Sequence, residues 1–364
     1  MTGPLSEMFI QLSWSTALQV ALLGFIGGML SGFIGSGGAF FMTPGMMNLG
    51  VAGPVAVASN ITHKFGKAMV GSRKHSEIGN VDKKLSIFML ITAFVGIRLA
   101  VWVMKLMFAG DAGNHGSGGG AAANLYISIV FAGVLAIVSI SMLADIVKSR
   151  KAKETGPSRK IVDLLNRLKL YPIIYFPVAD VHISLWVLMI CGLATGYLAG
   201  TIGVGGFIGV PAMIYVFGVS APVAAGSELF LAMFMGAFGA LNYAFEGMVD
   251  LRLTLLLYAG SLCGIYIGVY GTKVVKEVVI RMVTSLIIIL CVISRLVAVP
   301  IYLQQLGLLG MDASYNDTLN LISKALLYAS GCTGSLLILY YVLRAYFQRR
   351  KVEASLTATV EASE

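Results

Sequence analysis

Apolar runs of roughly bilayer length alternate with short polar connectors along the whole chain, and two of these runs break at glycines. The pattern predicts a helix from about Leu12 to Ile34, then a short apolar piece from Gly38 to Leu49. That piece rises only ~18 Å as a helix, too little to cross a membrane alone, so it reads as a re-entrant half-helix. Gly53-Pro54 opens a helix reaching about Gly71, and further helices cover Leu85 to Phe108 and Ala121 to Asp145. The second half begins near His182 with a helix leading to Gly203, followed by a short piece from Phe207 to Phe217. Helices are then expected over Ala221–Phe245, Leu251–Gly271 and Ile280–Val299, with a last one ending near Phe347. The tail from Glu353 to Glu364 reads as unstructured.

The two interruptions are copies of each other. The stretch GMLSGFIGSGGAFFMTPGMMNLGV starts at Gly28, and GYLAGTIGVGGFIGVPAMIYVFGV starts at Gly196. A shift of 168 carries Gly32, Gly35, Gly37, Gly38, Gly50 and Val51 onto Gly200, Gly203, Gly205, Gly206, Gly218 and Val219. It also carries Pro54, Ala56 and Ser59 onto Pro222, Ala224 and Ser227, and Gly79, Val81, Asp82 and Leu85 onto Gly247, Val249, Asp250 and Leu253. Broken helices at matching positions in two halves are a sequence pointer to a transport site.

Composition and charge sharpen the class. Of 364 residues, 57% are hydrophobic and 12% charged, too apolar a balance for a soluble domain. The net charge of +9 would suggest nucleic acid in a soluble protein, but here it sits mainly in loops. Loops 72–84, 148–180 and 272–281 and the C-terminal tail are basic, hence cytoplasmic, whereas connectors 110–120 and 300–319 carry only acids, hence external. With each interrupted pair returning to its starting side, the N-terminus is external and the C-terminus cytoplasmic. The two copies then run oppositely through an inner (plasma) membrane. The expected divisions are residues 1–147, a first transmembrane repeat; 148–181, a basic cytoplasmic linker; 182–300, a second repeat; 301–348, an external connector and the last helix; and 349–364, a cytoplasmic tail. Within the linker, Ile161, Leu164, Leu165 and Leu168 suit either an amphipathic surface helix or an irregular segment. Cys191, Cys263, Cys291 and Cys332 lie in apolar runs without close pairing and read as buried small hydrophobes. The first ten residues lack the basic region of a cleavable signal peptide.

The candidate chemistry is that of an anion site. Gly35, Ser36, Gly37 and Gly38, and Gly203, Gly205 and Gly206, each precede a short helix, whose free N–H groups and positive dipole end suit an oxyanion. Asn60, His63, Lys64, Lys67 and Gly71 share one helical face, with Lys67 near enough to the cytoplasmic end to snorkel. Glu228 matches Asn60 in the second copy and is the candidate for proton coupling, with Ser227 beside it as a further donor. Arg98 and Arg295 are mid-helix, where either could pair with Glu228 or line a path, whereas His75 and Glu77 read as solvated loop residues. Cations outnumber acids inside the apolar segments, against the expectation for a cation path. No metal-ligand spacing, catalytic constellation or cofactor motif is evident, so neither an enzyme nor a cofactor is expected.

The paired stretches GFIGSGGAFFMTP and GTIGVGGFIGVP, with GNVD at 79–82 and GMVD at 247–250, resemble those of the sulfite exporter TauE/SafE family, also called toluene sulfonate uptake permeases. The resemblance is close over about residues 20–86 and 190–254. It implies a carrier of small sulfur-containing anions: sulfite, sulfoacetate, thiosulfate or organosulfonates. The expectation is thus an all-α polytopic bundle with two inverted repeats, acting as a secondary transporter or, alternatively, as a passive anion channel. Its partners are a small anion and the lipid bilayer, not nucleic acid. The oligomeric state is open between monomer and homodimer.

Overall fold

The computed structural model describes residues 10–34, 38–111, 120–151, 162, 170–203, 205–275 and 277–361. The first half comprises α1 (Trp14–Ile34), α2 (Ala39–Asn48), α3 (Gly53–Glu77), α4 (Lys83–Asp111) and α5 (Ala121–Lys151). A two-stranded antiparallel hairpin follows, β1 (Ile173–Phe176) and β2 (Val181–Ser184). The second half comprises α6 (Leu185–Ile202), α7 (Gly206–Pro211) with a π-helical turn at Ala212–Val216, α8 (Ala221–Phe245), α9 (Leu251–Val274) and α10 (Glu277–Gln305). The last helix is α11 (Ser314–Glu361). Among the described residues, eight helices are long and apolar enough to cross a membrane: α1, α4, α5, α6, α8, α9, α10 and α11. The protein is a polytopic helical bundle. Helix α3 has the length but not the apolarity, because its inward face carries the polar stripe.

Several boundaries differ from expectation. Helix α3 continues six residues past Gly71 to Glu77, because the polar residues there lie in its last turns. His75 and Glu77 are therefore helical, with Glu77 paired to Arg73 across one exposed turn at 3.2 Å. Helix α10 passes through Pro300 to Gln305, so the last connector shrinks to 306–313. Proline removes one N–H, a loss that membrane helices tolerate when neighbours re-satisfy the freed carbonyl. Helix α11 runs to Glu361 rather than stopping near Phe347. The hairpin replaces the end of the expected linker. Its Val178 and Ala179 amides donate to Asp82 Oδ2 at 3.1 and 3.0 Å, and buried Phe176 packs near Phe88 of α4. The helix-spaced residues of the linker, Ile161, Leu164, Leu165 and Leu168, lie outside the described residues. The cysteines are free, but Cys263 and Cys332 lie on the outer surface rather than buried, a position lipid permits.

Small residues set the packing. Gly24, Gly28 and Gly32 of α1 face the backbone of Leu257, Ser261 and Ile265 on α9. Reciprocally, Gly260, Gly264 and Gly268 of α9 face Ala21, Phe25 and Met29. A Cβ at Gly264 would lie 2.1 Å from the Phe25 carbonyl oxygen. Numbers rise together along both helices, so α1 and α9 run parallel at a separation only glycine permits. The shift of 168 reproduces this contact: Gly192, Gly196 and Gly200 of α6 face Met89, Ala93 and Ile97 of α4, also in parallel. Helices α3 and α8 instead run antiparallel, with Ile61 against Gly239, Phe65 against Gly236 and Leu229 against Gly71.

The GNVD and GMVD segments are helix starts. Asp82 Oδ1 accepts the Leu85 amide at 2.9 Å, and Asp250 Oδ1 accepts the Arg252 amide at 2.9 Å, as N-caps do. Each cap is tied to the opposite half. Ser227 Oγ accepts from the Asp82 amide at 2.9 Å while Ser86 donates to the Ser227 carbonyl; Ser59 donates to the Asp250 carbonyl at 3.4 Å while Thr254 reaches the Ser59 carbonyl.

Candidate functional site

The polar face of α3 meets both broken helices. Asn60, fully buried, donates from Nδ2 to Thr43 Oγ1 on α2 at 2.8 Å. Thr43 donates onward to the Ile202 carbonyl, at the end of α6, at 3.2 Å. The next residue, Gly203, ends α6 in the left-handed conformation (φ 75°), which glycine adopts without strain. A Cβ there would lie 3.0 Å from Asn60 Nδ2 and 3.2 Å from Thr43 Oγ1. Asn60 therefore links the short helix of the first half to the break of the second.

One turn along α3, Lys64 reaches the other side of that break. Its Nζ lies 3.9 Å from Glu228 Oε1, with the lysine 8% and the glutamate 1% exposed. At that separation the two attract as charges without a hydrogen bond. Among the described residues, Lys64 Nζ and both Glu228 carboxylate oxygens lack a hydrogen-bond partner. Helix α7 packs directly on the pair: a Cβ at Gly205 would lie 3.3 Å from Lys64 Nζ, and one at Gly209 2.1 Å from Glu228 Oε2. The glycines thus let backbone approach two buried charges. Burying such a pair without completing its hydrogen bonds is costly, and the arrangement is suited to a group that supplies them.

The other residues of the stripe face α1 and α9. His63 Nε2 lies 2.7 Å from Ser261 Oγ, and its ring packs at 4.7 Å on Tyr258. Tyr258 hydroxyl donates to the Thr62 carbonyl and accepts the Gly66 amide, both at 3.0 Å. Lys67 turns inward and donates to Ser31 Oγ near the end of α1, so it does not snorkel. Gly38 packs against Gly27 and Ser31 of α1 at the start of α2.

The structure does not bring all the expected residues together. Ser227 is engaged in the Asp82 cap. Arg98 lies on an exposed face of α4 and donates to Asn242 Oδ1 at 3.1 Å. Asn242 is fourteen residues, ~21 Å, beyond Glu228 along α8, so Arg98 does not pair with that carboxylate. Arg295 is buried between α2, α10 and α11, with Asn48 and Ser323 as partners instead of Glu228. Gly35, Ser36 and Gly37 lie outside the described residues. Thr43, Gly209, Ser31 and Ser261 complete the cluster, and hydroxyls and glycines in apolar helices gave no periodic signal by which to find them. Among the described residues, no group of His, Cys, Asp and Glu could hold a metal ion.

The comparison with known proteins rests on this same region. The family described as "Sulfite exporter TauE/SafE" matches residues 20–295, from α1 to Arg295 of α10. The chain belongs to the sulfite exporter TauE/SafE family. It is 26% identical over 254 residues to "Probable membrane transporter protein YjnA" of Bacillus subtilis, covering 69% of this chain and 89% of that protein. It is 22% identical over 272 residues to "Probable membrane transporter protein YdhB" of the same organism, covering 72% and 94%. No solved structure matches the chain. The matched region of this TauE/SafE protein contains both broken helices, the α3 stripe and Glu228, and leaves out α11.

Proposed function

We propose that this membrane transporter carries a small sulfur-containing oxyanion across the inner membrane by a secondary, proton-coupled mechanism, and that it is not an enzyme. The observation that carries the reading is the Lys64–Glu228 pair, buried without hydrogen bonds against the glycines of α7. With Glu228 ionised, the carboxylate occupies the lysine. A proton on Glu228 would release Lys64 to hold an anion, with Asn60 and backbone N–H groups near the glycine breaks as further donors. Proton and anion would then bind together and travel in the same direction. The family's description names sulfite, which supports sulfite and chemically similar sulfur oxyanions as the substrate class.

We also infer that the halves are inverted repeats. The antiparallel α3–α8 crossing and the exchange of α1–α9 for α6–α4 under one shift of 168 support this, and alternating access would follow from rocking one half against the other.

The test is uptake of sulfite, thiosulfate and sulfoacetate into proteoliposomes under an imposed pH gradient. Saturable flux that follows the proton gradient and shows counterflow is expected of the wild type. Glu228→Gln should retain exchange but lose its pH dependence. Unsaturable flux without counterflow would favour a passive channel, and an unchanged pH profile in Glu228→Gln would remove the coupling role.

A further inference from the structure

Helix α10 carries a second buried cation that the broken-helix site does not use. Arg295 is 1% exposed. Its Nη2 donates to Ser323 Oγ on α11 at 2.9 Å and to Asn48 Oδ1 at the end of α2. Ser323 Oγ is 3.3 Å from Asn48 Oδ1, and Ser294 donates to the Ser323 carbonyl at 2.7 Å. Among the described residues, three donors lack a close hydrogen-bond partner: Arg295 Nε, Arg295 Nη1 and Asn48 Nδ2. None of the ion pairs among the described residues includes Arg295. The ionisable neighbours on its own helix are Cys291, one turn back, and Tyr302, two turns on, whose hydroxyl lies within hydrogen-bonding reach of the guanidinium; neither is a carboxylate, so the positive charge has no counter-ion from them.

Depth makes this arrangement demanding. Arg295 lies ten residues, ~15 Å, from the end of α10, and Ser323 nine residues, ~14 Å, into α11. A guanidinium this far from the helix ends needs a counter-charge, and the missing hydrogen-bond partners are all acceptors. One positive charge with unmet N–H groups calls for one small negative ion.

We propose that Arg295 and Asn48, held in place by Ser323, bind a small inorganic monoanion of halide size. The ion neutralises the guanidinium and ties the free end of α2 to α10 and α11. The site belongs to one half alone, since the shift of 168 places Ile127 opposite Arg295. It is separate from the broken-helix site: on α2, Asn48 lies five residues, ~7.5 Å, beyond Thr43.

The test is thermal unfolding of the full chain, purified in detergent in gluconate buffer and titrated with chloride or bromide at constant ionic strength. The wild type is expected to rise by a few degrees and saturate, as a bound ion requires. Arg295→Gln should lose the response, whereas Lys64→Gln should keep it. Asn48→Asp sets a carboxylate against the guanidinium. It should unfold in gluconate near the wild-type temperature in chloride, with no further response. The proposal is overturned if the wild type unfolds alike in gluconate and chloride, or if Arg295→Gln or Asn48→Asp still responds fully. A response that vanishes with Lys64→Gln would overturn it too, by assigning the ion to the other site. If Arg295→Gln does not fold, Asn48→Asp alone decides.

Discussion

Lys64 and Glu228 differ from an ordinary buried ion pair in what surrounds them. Among the described residues neither atom set is hydrogen-bonded, and Gly205 and Gly209 set backbone without a Cβ directly against the charges. Gly209 is the sharpest case. Its substitution by alanine places a methyl 2.1 Å from Glu228 Oε2, and the carboxylate must move. Gly209→Ala is expected to weaken substrate binding about tenfold or more, an effect of ~1.4 kcal/mol, while the protein still folds. Binding isotherms beside thermal unfolding would check this, and unchanged affinity would detach Glu228 from the site. At the same scale, the spacing of Asn60, His63, Lys64 and Lys67 was legible as one face. Their separate assignments were not: Asn60 goes to α2, His63 and Lys67 to α9 and α1, and Lys64 to α8. A helical wheel places residues on a face but not their neighbours.

Among the elements, the glycine-faced pairs α1–α9 and α4–α6 form the frame. In lipid there is little hydrophobic force between helices, so close backbone packing has to hold them together. The two pairs are not equal. Gly260, Gly264 and Gly268 on α9 correspond to Thr92, Gly96 and Ala100 on α4, and the side chains of Thr92 and Ala100 meet Gly192 and Gly200. Gly264→Ala is expected to destabilise by several kcal/mol, since backbone on both helices must separate. Gly133→Ala offers the contrast: it lies on the exposed face of α5 with nothing within 4 Å, and should gain ~0.5–1 kcal/mol from helix propensity. Thermal unfolding of the two variants in one detergent measures the difference. The i, i+4 glycines of α1, α6 and α9 were readable in the chain, but glycine periodicity alone does not say which helix approaches.

Over the whole molecule, the question is how the halves face. Helices α3 and α8 cross antiparallel, so the loops that follow them lie at opposite ends of the bundle. Ile78 and Glu246 are equivalent positions in those loops under the shift of 168. With the native cysteines replaced, Ile78→Cys is expected to react with a membrane-impermeant thiol reagent from the cytoplasmic side only. Glu246→Cys should react from the opposite side only. Labelling of both from one side would refute the inversion. Both sites are exposed enough for the assay: Ile78 is a surface residue, and the Lys105–Glu246 contact at 2.7 Å is a partly exposed pair of small energetic weight.

The chain by itself determined that this is a membrane bundle built twice, broken at two glycine clusters, with a cationic stripe beside the first. Hydropathy and repetition are written along the sequence, because a backbone in lipid must satisfy its own hydrogen bonds and a long apolar run does so as a helix. The tertiary structure alone decided that Glu228 meets Lys64 rather than an arginine, that Arg98 faces outward, and that Arg295 is buried against Asn48. It also decided that the GNVD and GMVD segments cap helices across the two halves, and that a hairpin covers Asp82. These depend on which elements face each other across separations of 96 to 247 residues of chain. Packing between backbones sets that choice, and no local pattern records it.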